Sequence, residues 1–409
     1  MSAGEGDTAR SRARSRPRLR RDDQQWIFDY VVKETGAVYH WWSDGAGTLP
    51  KSVRSHAMIP KQLGRQAQRI EALADVERAA GHDRTALDLY FGAAKSYLGA
   101  QHAVLELNDE KRFLYAGLRR CYEQVRALSP YRIEALEIPW EGTVVSGYLH
   151  LRPGGGKAPL LFYVPGCDTT CESAPSPLEN LPQQRGMHVF SFDGPGLGAS
   201  NMRGIRLTAD NFERAASAAL DALLERPEID ADRVVAYGGG MGSFWAMRFA
   251  AHDHRVKAIA SKSSYGSKDR LMDQDSPRYK QLFAFLTQSR SEEELDAVMA
   301  EMTMDGFMEK IACPVLMAVG EYDLRDPLDE VYRLFDALEA PGELWVFSDQ
   351  FHKLRLAGGG DTVYALMLDW LVDRLAGKAP AHPGETLYLE AGGKGPNDPA
   401  VPRKRRWFE

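Results

Sequence analysis

Three short stretches, each closing an apolar run, carry residue types that do chemistry in concert. "VVAYGGGMGSFWAMRF", residues 234–249, reads as a buried strand, a tight glycine turn and the opening of a helix. A turn of that shape, small at its first and fifth positions, holds its middle residue at the top of a sheet as a nucleophile. Here the turn is Gly238-Gly239-Gly240-Met241-Gly242, and Gly240, at the nucleophile position, carries only hydrogen. Downstream, "PVLMAVG" runs into Glu321-Tyr322-Asp323 and "ELWVFS" runs into Asp349-Gln350-Phe351-His352. In the chain order nucleophile, acid, base, Asp323 orients His352 and stabilises its protonated form, and His352 is the general base. Upstream, "PLLFYV" opens into "PGCDTTCES". Backbone N–H groups of that loop and of the glycine turn, those of Cys167 and Met241, are expected to meet a developing oxyanion. Gly166 and Asp168 of the same loop are candidates for substrate contact.

Glycine at 240 leaves three readings open. The turn needs glycine and nothing more is intended; or a serine has been replaced so as to trap a substrate complex; or a natural chain uses the pocket without a covalent intermediate. In the last case His352 activates water or abstracts a substrate proton, and the oxyanion loop stabilises an enolate. Other side chains compete for these roles. Ser243 lies three residues into the helix after the turn, so its hydroxyl is expected to be buried against the sheet. Cys167 as a nucleophile is weighed against a small packed hydrophobe. No histidine follows Cys167 and Cys171 at ligand spacing, so no metal is expected, and no cofactor. Asp326 competes with Asp323 for the acid, but its "DP" pair looks like a turn or helix start. His40, His56, His82 and His102 fall in a helical region and read as surface or packing residues. His252 and His254 follow the helix after the turn, away from the carboxyl ends of the strands.

The elements that must position these residues are of two kinds. From about Trp26 to Leu128 the apolar spacing is helical, with three faces: Leu63, Ala67, Ile70, Ala74; then Leu87, Tyr90, Phe91, Ala94, Tyr97, Leu98; then Phe113, Leu114, Leu118, Cys121, Val125, Leu128. Before them, "YHWWSDGAGTLPKS" reads as a loop whose Tyr39, Trp41 and Trp42 either line an aromatic substrate pocket or simply pack. At Ser129-Pro130 the character changes. "YRIEALEIPW" and "VVSGYLHLRP" alternate around Glu141-Gly142 as a β-hairpin, and six short, nearly continuous apolar runs then alternate with helical stretches. Such runs imply a mostly parallel sheet covered by helices on both faces, with ligands beyond the carboxyl ends of its strands. The boundaries so drawn are a basic tail at 1–24, a helical lobe at 25–128, an α/β core at 129–378 and a Pro/Gly-rich extension at 379–409.

At 409 residues the chain can bury a large core without staples. Its net charge of -6 gives no electrostatic reason for nucleic acid. Seven arginines in the first 21 residues are followed by "DDQQW" rather than by an apolar or basic segment, and read as a disordered tail. Four scattered cysteines form no disulfide framework and read as reduced thiols. No apolar run approaches the roughly 20 residues that span a bilayer. The expectation is a cytoplasmic protein with a small-molecule partner.

The order of strand ends and the glycine turn make the α/β-hydrolase fold the expected architecture. "PGCDTTCES", then "GMHVFSFDGPGLGAS", the turn, "GEYD" and a late histidine, all behind a helical N-terminal lobe, are more specific. Together they resemble the 2,6-dihydropseudooxynicotine hydrolase and polyketide-shortening hydrolase branch, over roughly residues 25 to 378. That resemblance implies a cap formed by the N-terminal helices and cleavage of a carbon–carbon bond beside a ketone in β-diketone or polyketide-like substrates. It also implies a homodimer. Pro165 and Cys167 depart from the branch's Gly-Gly-hydrophobe-acid-Ser/Thr-Thr loop, and Gly240 stands where the branch has its serine.

Overall fold

A computed structural model describes residues 38–39, 48–50, 52–263, 277–323, 325–352, 354, 362–390 and 395–397. Two-residue strands β1 (Val38–Tyr39) and β2 (Thr48–Leu49) pair antiparallel. Three helices follow: α1 (Ile59–Ala79), α2 (Asp83–His102) and α3 (Asp109–Leu128). Asn108 caps α3 by accepting from the Lys111 N–H at 2.9 Å. Asp109 and Glu110 occupy its first turn, where the helix dipole favours negative charge. The expected apolar face of α2 is buried throughout. On α3 the buried stripe is Leu114, Leu118, Cys121, Tyr122 and Val125, while Phe113 is 54% exposed. The stripe swings toward Tyr122 because α3 also packs on the core: the Tyr122 and Tyr148 rings lie 4.7 Å apart.

Among the described residues the core is one nine-stranded sheet. In chain order its strands are β3 (Ile133–Trp140), β4 (Thr143–His150), β5 (Ala158–Val164), β6 (His188–Asp193), β7 (Ile229–Gly239), β8 (Val256–Lys262), β9 (Val315–Gly320), β10 (Gly342–Ser348) and β11 (Glu385–Glu390). They lie in the order β11-β10-β9-β8-β7-β5-β6-β4-β3, and β4 runs antiparallel to both of its neighbours. The β3–β4 turn puts Glu141 and Gly142 at φ 43° and 77°, the left-handed pair that a tight hairpin needs. Between strands run α4 (Leu181–Gln184), α5 (Gly198–Met202), α6 (Asn211–Leu224), α7 (Met241–His252), α8 (Pro277–Thr287), α9 (Glu292–Glu301), α10 (Leu328–Asp336) and α11 (Thr362–Leu375).

The strands are apolar throughout because both faces are covered. On one face Leu160, Phe162 and Val164 pack with Phe212 of α6 and with Phe244 and Trp245 of α7. On the other, Leu161, Val235 and Leu316 pack with Val363, Met367 and Leu371 of α11. Within the segment 379–409, read from sequence as an extension, "ETLYLE" is the outer strand β11. It pairs parallel with β10 and buries Leu387 and Leu389. Among the described residues no helix is long and apolar enough to cross a membrane.

Candidate active site

The carboxyl ends of β5, β7, β9 and β10 converge on one place. β7 stops at Gly239 and α7 starts at Met241; Gly240 between them takes φ 57° and ψ -126°, a conformation that L side chains rarely adopt. Its N–H donates to the Lys262 carbonyl at 2.8 Å, and its carbonyl accepts from Ser243 N–H at 2.9 Å. The flanking glycines are required by contact. A Cβ at Gly238 would stand 2.2 Å from the Gly242 carbonyl oxygen, and one at Gly242 would stand 2.3 Å from that of Val164. The turn is therefore closed on itself and pressed against the end of β5. This sets the loop 165–172 beside it, with the Cβ position of Gly166 at 3.4 Å from the Gly239 carbonyl oxygen.

Asp323 and His352 meet at the next two strand ends. Asp323 Oδ2 lies 2.8 Å from His352 Nδ1, and Oδ1 accepts the N–H groups of Arg325 and Asp326 at 3.0 and 3.4 Å. Burial alone would raise this carboxyl, but the hydrogen bond and charge of His352 and the two backbone donors hold it below its ordinary value. With Nδ1–H given to Asp323, Nε2 of the neutral ring carries a lone pair. Nε2 faces the glycine turn, 3.3 Å from where a Cβ at Gly240 would be. Asp326, the competing acid, is also buried, but its Oδ2 is 3.8 Å from Nδ1.

Gly320 makes this meeting possible. A Cβ there would lie 2.5 and 2.6 Å from the carbonyl oxygens of Gln350 and Phe351, pushing the turn that carries His352 away from β9. Ser263, at the end of β8, was not singled out from sequence. It sits at φ 64° and donates to Asp323 Oδ2 at 3.2 Å, bracing the carboxylate from behind. Its signal was faint: a small polar residue in "SKSS" at a strand end. Asp349, at φ 55°, donates its N–H to Glu321 Oε2 at 3.0 Å and ties the two loops together.

A crevice opens between the helices and the sheet beside the loop after β5. It is lined by the end of α2, Lys111 of α3, residues 167–170, the turn and helix at 196–202, and α8. Lys111 is buried, donates to the carbonyls of Gln101 and Val104 at 2.9 and 3.0 Å, and lies 4.6 Å from the Phe285 ring centre. His102, read from sequence as a surface or packing residue, is buried and lines this crevice. Beneath the loop, fully buried Asp193 accepts from Cys171 N–H at 2.8 Å and Ala199 N–H at 2.7 Å. Burial, with the neighbouring Glu172 charge, pushes its carboxyl up to about 7. Glu172 takes a hydrogen bond from Thr170 at 2.5 Å and an ion pair with Arg119 of α3 at 3.4 Å, so the loop is fastened to the helical lobe.

Of the residues singled out from sequence, the structure brings together Gly240, Asp323 and His352, with Gly166 against the turn and Met241 opening α7. Cys167 and Asp168 line the crevice. Tyr39 falls in β1, but its side chain, like all of Trp41 and Trp42, lies outside the described residues. Ser243 is buried, its hydroxyl 2.8 Å from both the Gly238 and the Lys262 carbonyl oxygens. Among the described residues, two groups bring metal-type donors together: Cys171, Glu172 and Asp193, and Asp323, Asp326 and His352; Cys167 is in neither.

A doubly covered parallel sheet with a strand–glycine turn–helix at its centre and an Asp–His pair on the following strand ends defines an α/β-hydrolase. The chain belongs to the FrsA-like esterase family, whose model matches residues 70–278. The prolyl oligopeptidase family model also matches, over residues 181–378. The 2,6-dihydropseudooxynicotine hydrolase of Paenarthrobacter nicotinovorans is 29% identical over 77% of this chain and 84% of its own. A crystal structure of 2,6-dihydroxy-pseudo-oxynicotine hydrolase superposes with a TM-score of 0.72 at 27% identity, covering 87% of this chain and 97% of that one. The hydrolase LUC6 of a Fusarium species is 29% identical over 48% of this chain and 49% of its own.

Proposed function

We propose that the chain takes a ketone-bearing small molecule, of the β-diketone or polyketide-like kind, into the crevice between helices and sheet. Beside that crevice, at the glycine turn, His352 acts as general base, with no covalent link at residue 240. One observation carries this reading: His352 Nε2 faces the turn 3.3 Å from the Cβ position of Gly240, with Asp323 behind it, so the base is in place and the hydroxyl is not. The substrate carbonyl oxygen sits toward the N–H groups of Cys167 and Met241. Nε2 removes a proton from the carbon beside the carbonyl, the C–H electron pair moves onto oxygen as an enolate, and Asp323 stabilises the imidazolium. The proton is then returned from Nε2 to another carbon or to a departing oxygen, which completes an isomerisation, cyclisation or elimination. The relative's name, a hydrolase of 2,6-dihydropseudooxynicotine, supports a small organic substrate.

The test is deuterium exchange at the carbon beside the carbonyl of simple aryl ketones in heavy water. Exchange above the buffer rate that disappears in His352→Ala supports the reading; an identical rate in the two chains rules it out. A second reading is C–C or acyl hydrolysis through a serine at position 240. It is favoured by the turn itself, which keeps the positive φ and close packing that such a nucleophile requires.

A further inference from the structure

One amide lining the crevice has its backbone groups paired and its side-chain oxygen unpaired. Asn201, in α5, is 3% exposed. Its N–H donates to the Leu197 carbonyl and its carbonyl accepts the Gly204 N–H, both at 2.9 Å. Among the described residues no donor reaches its side-chain Oδ1, which is itself buried. Such an acceptor gives up water on folding without a hydrogen bond in return, an arrangement that native interiors keep rare. The segment that carries it is firmly held. Asp193 Oδ2 takes the Ala199 N–H at 2.7 Å, and the Asp193 carbonyl takes the Ser200 hydroxyl at 2.6 Å. Arg203, two residues on, donates to the Ser146 hydroxyl at 2.6 Å and forks onto the Glu137 carboxylate. Asp193 Oδ1 holds the Cys171 N–H at 2.8 Å, so α5 and the loop of Cys167 hang from one carboxylate. Asn201 and Cys167 line the same crevice, and the spacing between them is thereby fixed.

We infer that Asn201 is a specificity-determining residue: its Oδ1 accepts a hydrogen bond from a hydroxyl that the substrate carries away from its reacting carbonyl. This rests on the crevice being the place where the ketone binds. The crevice also takes Leu197 and Met202 from the segment of Asn201, and Leu282, Phe285 and Leu286 from α8. Among apolar side chains a neutral donor is favoured over a charged one, because a charge would lose its water there. The substrate class is therefore a hydroxy-ketone. Its carbonyl oxygen lies toward the Cys167 N–H and its hydroxyl on Asn201, and the two contacts set which way round the molecule enters. A ketone of the same size without the hydroxyl leaves the amide unpaired and is rejected on that account.

The experiment titrates full-length wild type, Asn201→Leu and Asn201→Ala with the ortho, meta and para isomers of hydroxyacetophenone and of methylacetophenone, followed by ligand NMR. Hydroxyl and methyl are close in size. Within each chain the hydroxyl-to-methyl affinity ratio is taken for each isomer, and comparing chains cancels the general difference in hydration between the two groups. For at least one isomer the ratio is expected to be about tenfold higher in wild type than in either variant. Asn201→Leu should also unfold at a urea midpoint no lower than wild type, since it removes an unpaired buried acceptor. If leucine does not fit, Asn201→Ala supplies the same comparison of ratios. A ratio equal in all chains for every isomer overturns the inference, and so does the absence of saturable binding of all these ketones by wild type. A lower midpoint in both variants with an unchanged ratio assigns the amide to folding alone and overturns it too. Failure of the base reading shows differently, as ketone proton exchange that survives His352→Ala, whereas the hydroxyl preference is read from binding and needs no turnover.

Discussion

Replacing Gly240 by serine perturbs two quantities whose sizes follow from the turn's geometry. The residue sits at φ 57° and ψ -126°, so a side chain there is strained by about 1–3 kcal/mol, and the chain's unfolding free energy should fall by that amount. Its Cβ would stand 3.3 Å from His352 Nε2, which puts Oγ, one bond further, in hydrogen-bond reach of the base. The chain would then hold a hydroxyl, a base and an acid in sequence. Loss of a serine nucleophile leaves residual acceleration of about 10³–10⁴ out of a far larger whole, so its return should raise hydrolysis of an activated ester by at least about 10²-fold. Urea unfolding reads the first quantity, as a lower midpoint at unchanged slope. Ester hydrolysis with a pre-steady-state burst, and an acyl adduct on residue 240 in the intact mass, read the second. A Gly240→Ser chain as stable as wild type, with neither burst nor adduct, would refute the assignment of this turn as a nucleophile position.

Four further outcomes are expected. Gly242→Ala would drive a Cβ to 2.3 Å from the Val164 carbonyl oxygen, and by urea titration should cost several kcal/mol, on the order of the worst core overpacking. Gly320→Ala should move the His352 turn off β9 and lower the exchange rate far more than it lowers the unfolding midpoint; equal loss of both would mean the glycine serves folding alone. His150, wholly buried between the hydroxyls of Tyr122 and Tyr131, is held down to about 3 by burial, with Arg126 adding to it. The unfolded chain therefore takes up a proton that the folded chain refuses. Stability should fall by up to about 1.4 kcal/mol per pH unit as pH drops from about 6.5 toward 3, and His150→Gln should flatten that slope. Asp193 has the opposite sign: its carboxyl, raised to about 7, contributes stability below the ordinary carboxyl range and loses it as pH rises toward 7. Asp193→Asn should therefore gain on wild type between pH 4 and 7 in urea titrations, and a constant difference across that range would contradict the assignment.

The sheet was legible because a doubly covered strand is apolar at every position, so "LLFYV" and "VLMAV" announce themselves without help from their neighbours. "ETLYLE" was not. It is six residues long, has a glutamate at each end, and lies between Pro/Gly-rich segments, so only its pairing with β10 reveals it. Asp323 and His352 could be read from their positions after strands. Ser263 and Gly320 could not, because what makes them matter is closeness between residues far apart in the chain. Phe113 shows the same limit on a helix: spacing predicts a stripe, and the partner's shape decides where that stripe ends. The lobe–sheet seam, with Asp193, Glu172 and Arg119, has no periodic signature at all.

Base chemistry at His352 without a covalent link to the chain can be checked by quenching the wild-type protein during turnover of a ketone substrate and measuring its intact mass. Product should form in wild type and not in His352→Ala, with the protein's mass unchanged at every time point. A substrate-derived adduct on Cys167, Ser243 or any other residue that forms and decays at the rate of turnover would contradict it.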